Sequence, residues 1–401
     1  MTTSVGTGPE LLLVRYGELA LKGYNRRSFE SALHDNMRAA LKDLTEVRMQ
    51  PVQGRVAVIP ERRVEAAARR LQDVFGISSI SPARGVPSEA AAILACARAV
   101  LAEAVAELPP GRATTFRVRV RRADKTFPVP STEFERVVAD HVLGDHPQLV
   151  VRLDDPELAL EVDVRPERSY VFARRLPGLG GLPVGSLGRV LCLISGGFDS
   201  PVAAWMCMKR GAEVVFTTFH SPPFIGDAAK KKVVDLVRVL SRHQARCVLF
   251  VVPFAEAQTA IRDAGSEAYR TVLYRRMMQR ISTRLARAER AQALVTGECL
   301  GQVASQTLEN LACIGAAAGL PVLRPLIGYD KQETIALARR IGTHDLSERQ
   351  EPDCCTLFMP ERPVIRGRLE ECEAIEASLD LDALAHDAVE RSERLVIEGE
   401  A

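Results

Sequence analysis

Residues 190–206 read VLCLISGGFDSPVAAWM, and this stretch decides the fold class. Val190-Leu191-Cys192-Leu193-Ile194 is an apolar run long enough for one buried parallel strand. Ser195-Gly196-Gly197-Phe198-Asp199-Ser200 cannot continue it, and Pro201 stands where the first turn of a helix accepts proline. The glycines therefore lie between a strand end and a helix start. Consecutive backbone N–H groups and the positive end of a helix dipole converge there, which makes a seat for phosphate. Ser195 and Ser200 add hydroxyls. Asp199 would repel an anion unless a cation accompanies it, as Mg²⁺ accompanies ATP.

Downstream, apolar runs and helical periods alternate. Strands are expected over 214–219, 247–254 and 293–296, with helices over 227–240 and 269–290. This alternation predicts an α/β domain with a doubly wound parallel sheet and ligands at the strand C-terminal ends. Residues 177–188, PGLGGLPVGSLG, read as a linker in front of it.

Before the linker the pattern differs. Strands over 10–16, 52–59 and 77–83 and helices over 28–44 and 62–74 suggest a small α+β layer of ferredoxin-like type. A further helix over 88–107 and a strand over 115–122 follow, then a helix over 132–143 and strands over 149–153, 158–165 and 169–175. In the strand 115–122, Phe116, Val118 and Val120 point one way and Arg117, Arg119 and Arg121 the other. Arginines at alternate positions suit a phosphate backbone. Lys22, Arg26 and Arg27 form a second basic cluster that could grip phosphate or simply be a solvated turn. No base-reading motif is present, so RNA would be recognised by shape.

With 47% hydrophobic and 26% charged residues, the 401-residue chain has a globular composition sized for two or three domains. Residues 1–9 lack the basic start and apolar core of a signal peptide, and no apolar run reaches membrane-spanning length, so a cytoplasmic place with no membrane partner is expected. The nine cysteines should then be thiols, and no spaced Cys/His set reads as a zinc site. Residues 361–401 carry 5 basic against 12 acidic side chains, leaving 48 against 39 in residues 1–360. A basic body of this kind suits a polyanion.

The Ser-Gly-Gly-x-Asp-Ser loop resembles that of the PP-loop ATP pyrophosphatases. Together with YGELALKGYNRRSFE, TFHSPPF, YRRMM, TGECLGQVASQTLEN, RPLIGYDKQE and DCCTLFMPERP, it makes the whole chain resemble the bacterial tRNA 4-thiouridine synthetases (tRNA sulfurtransferases). That resemblance implies a ferredoxin-like domain at 1–75, an RNA-binding THUMP domain at 76–176, the linker, and an adenylating domain at 189–401. It implies ATP held by Leu193, Ile194, Ser195, Gly196, Gly197, Asp199, Ser200, Thr218, Phe219, Arg275, Gly297 and Gln306. It also implies Mg²⁺ acting with Asp199, tRNA bound by the basic clusters, and sulfur carried as a persulfide on Cys354 and supplied by a cysteine desulfurase. Lys331 is a candidate for stabilising developing charge or is a surface ion pair. A short acidic segment follows Pro363, so the short form without a rhodanese domain is expected. Dimerisation would let one copy present RNA to another. Two other readings stay open on the residues alone: a ligase adenylating a small molecule, and an RNA-binding module with an inactive nucleotide site.

Overall fold

The computed structural model describes residues 10–18, 25–52, 54–351, 354 and 357–399. The chain divides into two compact units, Met1–Gly181 and Leu182–Ala401.

The first unit is built on one sheet. Its strands are β1 (Leu11–Tyr16), β2 (Val47–Val52), β3 (Arg55–Pro60), β4 (Ile77–Pro87), β5 (Thr114–Arg122), β6 (Leu149–Val151), β7 (Leu158–Val164), β8 (Arg168–Phe172) and β9 (Leu176–Pro177). They run in the order β2-β3-β1-β4-β8-β7-β5-β6, with β9 on β4. The eleven-residue β4 pairs with β1 through Ile77–Ala83 and with β8 through Arg84–Pro87, so one strand serves both halves of the sheet. Helix Arg26–Leu41 buries Phe29, Leu33, Met37 and Leu41, one residue per turn, which is the stripe its sequence spells. Helices Ala90–Ala106 and Ser131–Leu143 close a core around Phe116, Phe134, Leu160 and Val171.

The single strand expected over 52–59 is instead the hairpin β2–β3. β2 is the sheet edge, and its residues VRMQPV alternate between partly buried and exposed. An edge strand with proline and polar positions carries little apolar signal. The glycine-rich stretch 177–188 is tied down at both ends. Gly178 N–H donates to Ser78 O at 3.1 Å, while Leu182 N–H donates to Lys209 O at 3.0 Å. A side chain on Gly178 would meet the Ile77 carbonyl oxygen at 2.3 Å, so this backbone approach requires glycine.

In the second unit, β10 (Arg189–Leu193), β11 (Glu213–His220), β12 (Arg246–Pro253), β13 (Ala293–Val295), β14 (Val322–Leu323) and β15 (Glu393–Glu398) lie in the order β14-β13-β10-β11-β12-β15. Every pair is parallel except β12–β15. The helices form two sets. Those at 199–209, 227–240, 331–341 and 344–348 pack together, as do those at 255–263, 270–288, 308–316, 369–376 and 381–390, giving the doubly wound arrangement. The chain leaves β10 toward β11 and β12, then crosses back to β13. The switch point therefore falls between β10 and β13, beside residues 194–198.

The arginines of helix Arg270–Ala288 are spent internally. Glu376, 4% exposed, takes paired hydrogen bonds from Arg276 (2.7 and 2.8 Å) and Arg280 (2.7 and 2.8 Å), and Asp382 pairs with Arg284 at 2.6 Å. The acidic segment read in the sequence as a charge imbalance is thus the counterion of this helix. Burial raises the Glu376 carboxyl's pKa, but the hydrogen bonds from both guanidinium groups outweigh it and leave it below the usual value. That contribution to stability is present above the ordinary carboxylate range and is lost as pH falls through the lowered value. Glu376→Ala strands two guanidinium groups, one of them buried. It is expected to cost roughly 3–5 kcal/mol and to lower the melting temperature by about 10 °C in a thermal scan.

Candidate nucleotide and sulfur site

The loop at 194–198 is closed by its own serines. Ser195 N–H donates to Ser200 Oγ at 2.9 Å, the two hydroxyls lie 3.2 Å apart, and Ile194 N–H donates to Thr217 O at 2.8 Å. The helix begins at Asp199, two residues before Pro201, so the loop sits directly on its N-terminus. Opposite it, the backbone at Gly297 comes so close that a Cβ there would lie 2.5 Å from Ser200 N and 2.6 Å from the Asp199 carbonyl carbon.

Asp199 is held by one ammonium and one amide. Lys331 Nζ reaches its two oxygens at 2.9 and 3.1 Å, and Gln302 Nε2 lies 3.2 Å away. Lys331 is the first residue of helix Lys331–Ile341, whose capping box joins Asp330 and Glu333. Its ammonium also lies 5.3 Å from the centre of the Phe198 ring. It is an ion pair, and that pair stands on the phosphate loop.

A cavity of about 200 Å³ opens at the switch point. It is lined by Leu193, Ile194, Ser195, Asp199, Ser200, Thr218, Phe219, Arg275, Gly297 and Gln306, ten of the twelve residues expected at ATP. Gly196 and Gly197 instead line a neighbouring cavity of about 640 Å³. Sequence reading missed Met278, Gln279, Thr296 and Glu298 on the first cavity's wall. Glu298, 4% exposed, joins Arg275 (3.0 Å), Arg324 (2.7 Å) and the Thr296 hydroxyl (2.9 Å). It fixes the guanidinium of Arg275 at the cavity, and its place next to Gly297 was the available signal.

Cys354, 7% exposed, lines both cavities. Its carbonyl accepts from Gln258 Nε2 at 2.8 Å, and Gln258 in turn accepts from the Ser221 hydroxyl. Asp353 and Cys355 lie outside the described residues. All eight described cysteines are buried, and none forms a disulfide among the described residues. Burial pushes the Cys207 thiol up to about 11 and the Cys247 thiol up to about 12, as befits inert packing groups.

In the first unit, Phe116, Val118 and Val120 are buried as expected, and Arg119 and Arg121 are exposed. The sequence around these arginines has no interleaved acids, but the neighbouring strand supplies them: Glu161 stands opposite Arg119 and Asp163 opposite Arg121. Those carboxylates are engaged elsewhere, Glu161 by Arg175 (2.9 Å) and Asp163 by Arg55 (2.8 Å) and Arg165 (2.9 Å). Arg117 donates to Leu153 O at 2.6 Å. Arg26 is committed to Glu30 (2.8 Å) and the Tyr16 hydroxyl (3.3 Å), whereas Arg27 is exposed. Lys22 lies outside the described residues.

A strand–glycine loop–helix unit at the switch point of a parallel sheet, beside a cavity, is the arrangement of the PP-loop domains. Family models agree with this along the chain. The ThiI ferredoxin-like domain matches residues 11–81, the THUMP domain 88–174, and the model described as "Thiamine biosynthesis protein (ThiI)" 185–381. A probable tRNA sulfurtransferase of Moorella thermoacetica is 46% identical over 97% of this chain and 98% of its own length. One from Halothermothrix orenii is 42% identical over 97% and 99%. A 4-thiouridine synthetase crystallised with RNA and bound ATP is 34% identical, with a TM-score of 0.91 over 97% of this chain and all of that one. PH1313 from Pyrococcus horikoshii, at 24% identity and TM-score 0.64, shares the fold. The chain belongs to the tRNA sulfurtransferase family. No helix among the described residues is long and apolar enough to cross a membrane.

Proposed function

We propose that this protein thiolates uridine-8 of tRNA in two steps, adenylation by ATP and then sulfur transfer from Cys354. The observation that carries the reading is the position of Cys354 on the wall of the cavity that also holds Asp199, Arg275, Gly297 and the serines of the phosphate loop. In the first step the uracil O4 attacks the α-phosphate, the bond to the β-phosphate breaks, and pyrophosphate leaves. The backbone N–H groups of residues 196–200 and the ammonium of Lys331 meet the charge that develops on the leaving group. Arg275, aimed by Glu298, holds the nucleotide in place. Asp199 is the one carboxylate of the phosphate loop, and Mg²⁺ is commonly held by one or two carboxylates plus substrate phosphates, so these residues fit an ion arriving with ATP. When bound there, Mg²⁺ would neutralise charge on the departing pyrophosphate.

In the second step the terminal sulfur of a Cys354 persulfide attacks C4, and AMP leaves with the former O4. A thiol then attacks the Cys354 sulfur, which breaks the sulfur–sulfur bond, leaves the outer sulfur on the RNA as 4-thiouridine, and joins the attacking thiol, now oxidised, to Cys354 in a disulfide. A second thiol reduces that disulfide. A cysteine desulfurase is the class of enzyme that would reload the persulfide.

The test is pyrophosphate release by purified protein with Mg²⁺ and ATP. Release that requires unmodified tRNA supports the reading; release without any tRNA indicates a small-molecule ligase, and no release under either condition indicates an inactive nucleotide site. Arg27, Arg119 and Arg121 are the exposed arginines proposed to hold the RNA backbone. Changing Arg119 and Arg121 together to alanine is expected to raise the KM for tRNA about tenfold without changing ATP affinity, and to flatten the salt dependence of tRNA binding.

A further inference from the structure

We infer that the 640 Å³ cavity beside the nucleotide cavity is the chamber that receives the extruded target nucleotide, with Arg339 and Arg349 holding its backbone phosphates at the mouth. The inference rests on the thiolation reading above and says where in the second unit that reaction takes its RNA.

The argument begins with shared walls. Ser195, Thr218, Phe219 and Cys354 border both cavities, so an atom passing between them passes the phosphate loop and the thiol. Both proposed steps act on one pyrimidine: O4 must reach the α-phosphate, and C4 must then reach a sulfur on Cys354. A base inside an RNA stack cannot do either, so it must be turned out into a pocket. The smaller cavity is lined by ten of the twelve residues expected at ATP, and Gly196 and Gly197 put the pyrophosphate at the near end of the larger one, whose remainder is left for the base. Its volume lies within the range of small-ligand sites.

Its lining fits a nucleotide. Lys230, Lys232, Arg339 and Arg349 stand against two carboxylates, Glu348 and Glu351. Lys230 pairs with Glu393, but Arg339 and Arg349 are exposed and have no carboxylate partner among the described residues. The Phe198 and His344 rings, with centroids 5.4 Å apart and planes at 42°, give the chamber an aromatic wall on which a base can stack.

The chamber is also fastened to the phosphate loop. Lys232, 6% exposed, donates to Ser347 O at 3.0 Å and Arg349 O at 2.6 Å, and its side chain runs 3.2–3.4 Å from where a Cβ on Gly196 would stand. Ser347 Oγ donates to Gly197 O at 3.2 Å. The segment bearing Arg349 is therefore clamped to the residues that grip phosphate.

Two measurements test this on the full-length protein. First, Arg339→Ala/Arg349→Ala is compared with Arg339→Lys/Arg349→Lys. The alanine pair is expected to raise the KM for tRNA in pyrophosphate release about tenfold and to reduce the salt slope of tRNA binding by about 0.7 per arginine. ATP affinity measured without tRNA should be unchanged, and the lysine pair should recover most of the loss. Second, tRNA carrying 5-iodouridine at position 8 is irradiated on the wild-type protein. The adduct is expected on Phe198 or His344. Unaltered tRNA kinetics in the alanine pair would overturn the assignment, as would an adduct mapping to residues 302–331. If the wild-type protein shows no tRNA-dependent pyrophosphate release, the thiolation reading itself has failed, and that result is distinct from either of these.

Discussion

Gly297→Ala is expected to weaken ATP binding and to slow pyrophosphate release about a hundredfold, the cost of misplacing reacting groups by about an ångström, while the protein stays folded. The reason is a steric one. The added methyl group would sit 2.5 Å from Ser200 N, 2.6 Å from the Asp199 carbonyl carbon and 2.8 Å from Ser200 Cα, and all three are backbone atoms. A side chain could swing aside; the first turn of helix Asp199–Lys209 cannot. That turn also holds the hydroxyl that closes the loop on Ser195 N–H and the carboxylate held by Lys331. Either the phosphate loop or the segment after β13 must move, and both line the nucleotide cavity. Calorimetric titration with ATP measures the loss, and circular dichroism shows whether the fold persists. Wild-type affinity in the alanine variant would mean that the two backbones do not meet in the working enzyme.

This contact shows what a single sequence conveys and what it leaves out. The phosphate loop was legible because its chemistry is local: glycines, serines and an aspartate between one strand and one helix need no distant partner to be read. Gly297 was reached through the likeness of TGE to a family motif, and its physical reason, the Asp199–Ser200 backbone across the switch point, is a contact over about a hundred residues. Lys232 read only as part of a basic helix start, yet it is a buried clamp on Ser347 and Arg349. Glu298, Arg324 and Glu376 escaped notice for the same reason, since a buried carboxylate is identified by its arginines and those lie 23 to 100 residues away. The edge strands β2 and β15 were missed on other grounds. Both lie at a sheet edge and bury almost no side chain, Ile397 alone between them, so the apolar alternation that marks a strand is weak. The parallel inner strands, buried on both faces, were read nearly to their ends. The arginine strand was legible in its alternation but not in its charge balance, because Glu161 and Asp163 belong to the neighbouring strand.

The sharpest separation of the two chemical steps comes from Cys354→Ser set beside Asp199→Ala. Cys354→Ser removes the proposed sulfur carrier and keeps the size of the side chain. The phosphate loop, Arg275 and Lys331 do not depend on the thiol for their hydrogen bonds. Pyrophosphate release with tRNA should therefore continue within a few-fold of the wild-type rate, while 4-thiouridine formation falls by about 10³ or more, as happens when a nucleophile is deleted. Asp199→Ala acts earlier. It takes away the carboxylate that holds Lys331 at 2.9 Å and Gln302 at 3.2 Å, together with the one loop oxygen donor suited to Mg²⁺. Both pyrophosphate and thiouridine should be lost together. The order of events follows from the pair: adenylated RNA should accumulate on the serine variant and be absent from the alanine variant, and denaturing gels of RNA labelled from α-³²P-ATP would display it. Thiouridine made by Cys354→Ser at the wild-type rate would place the sulfur on another group and leave Cys354 as a packing residue between two cavities.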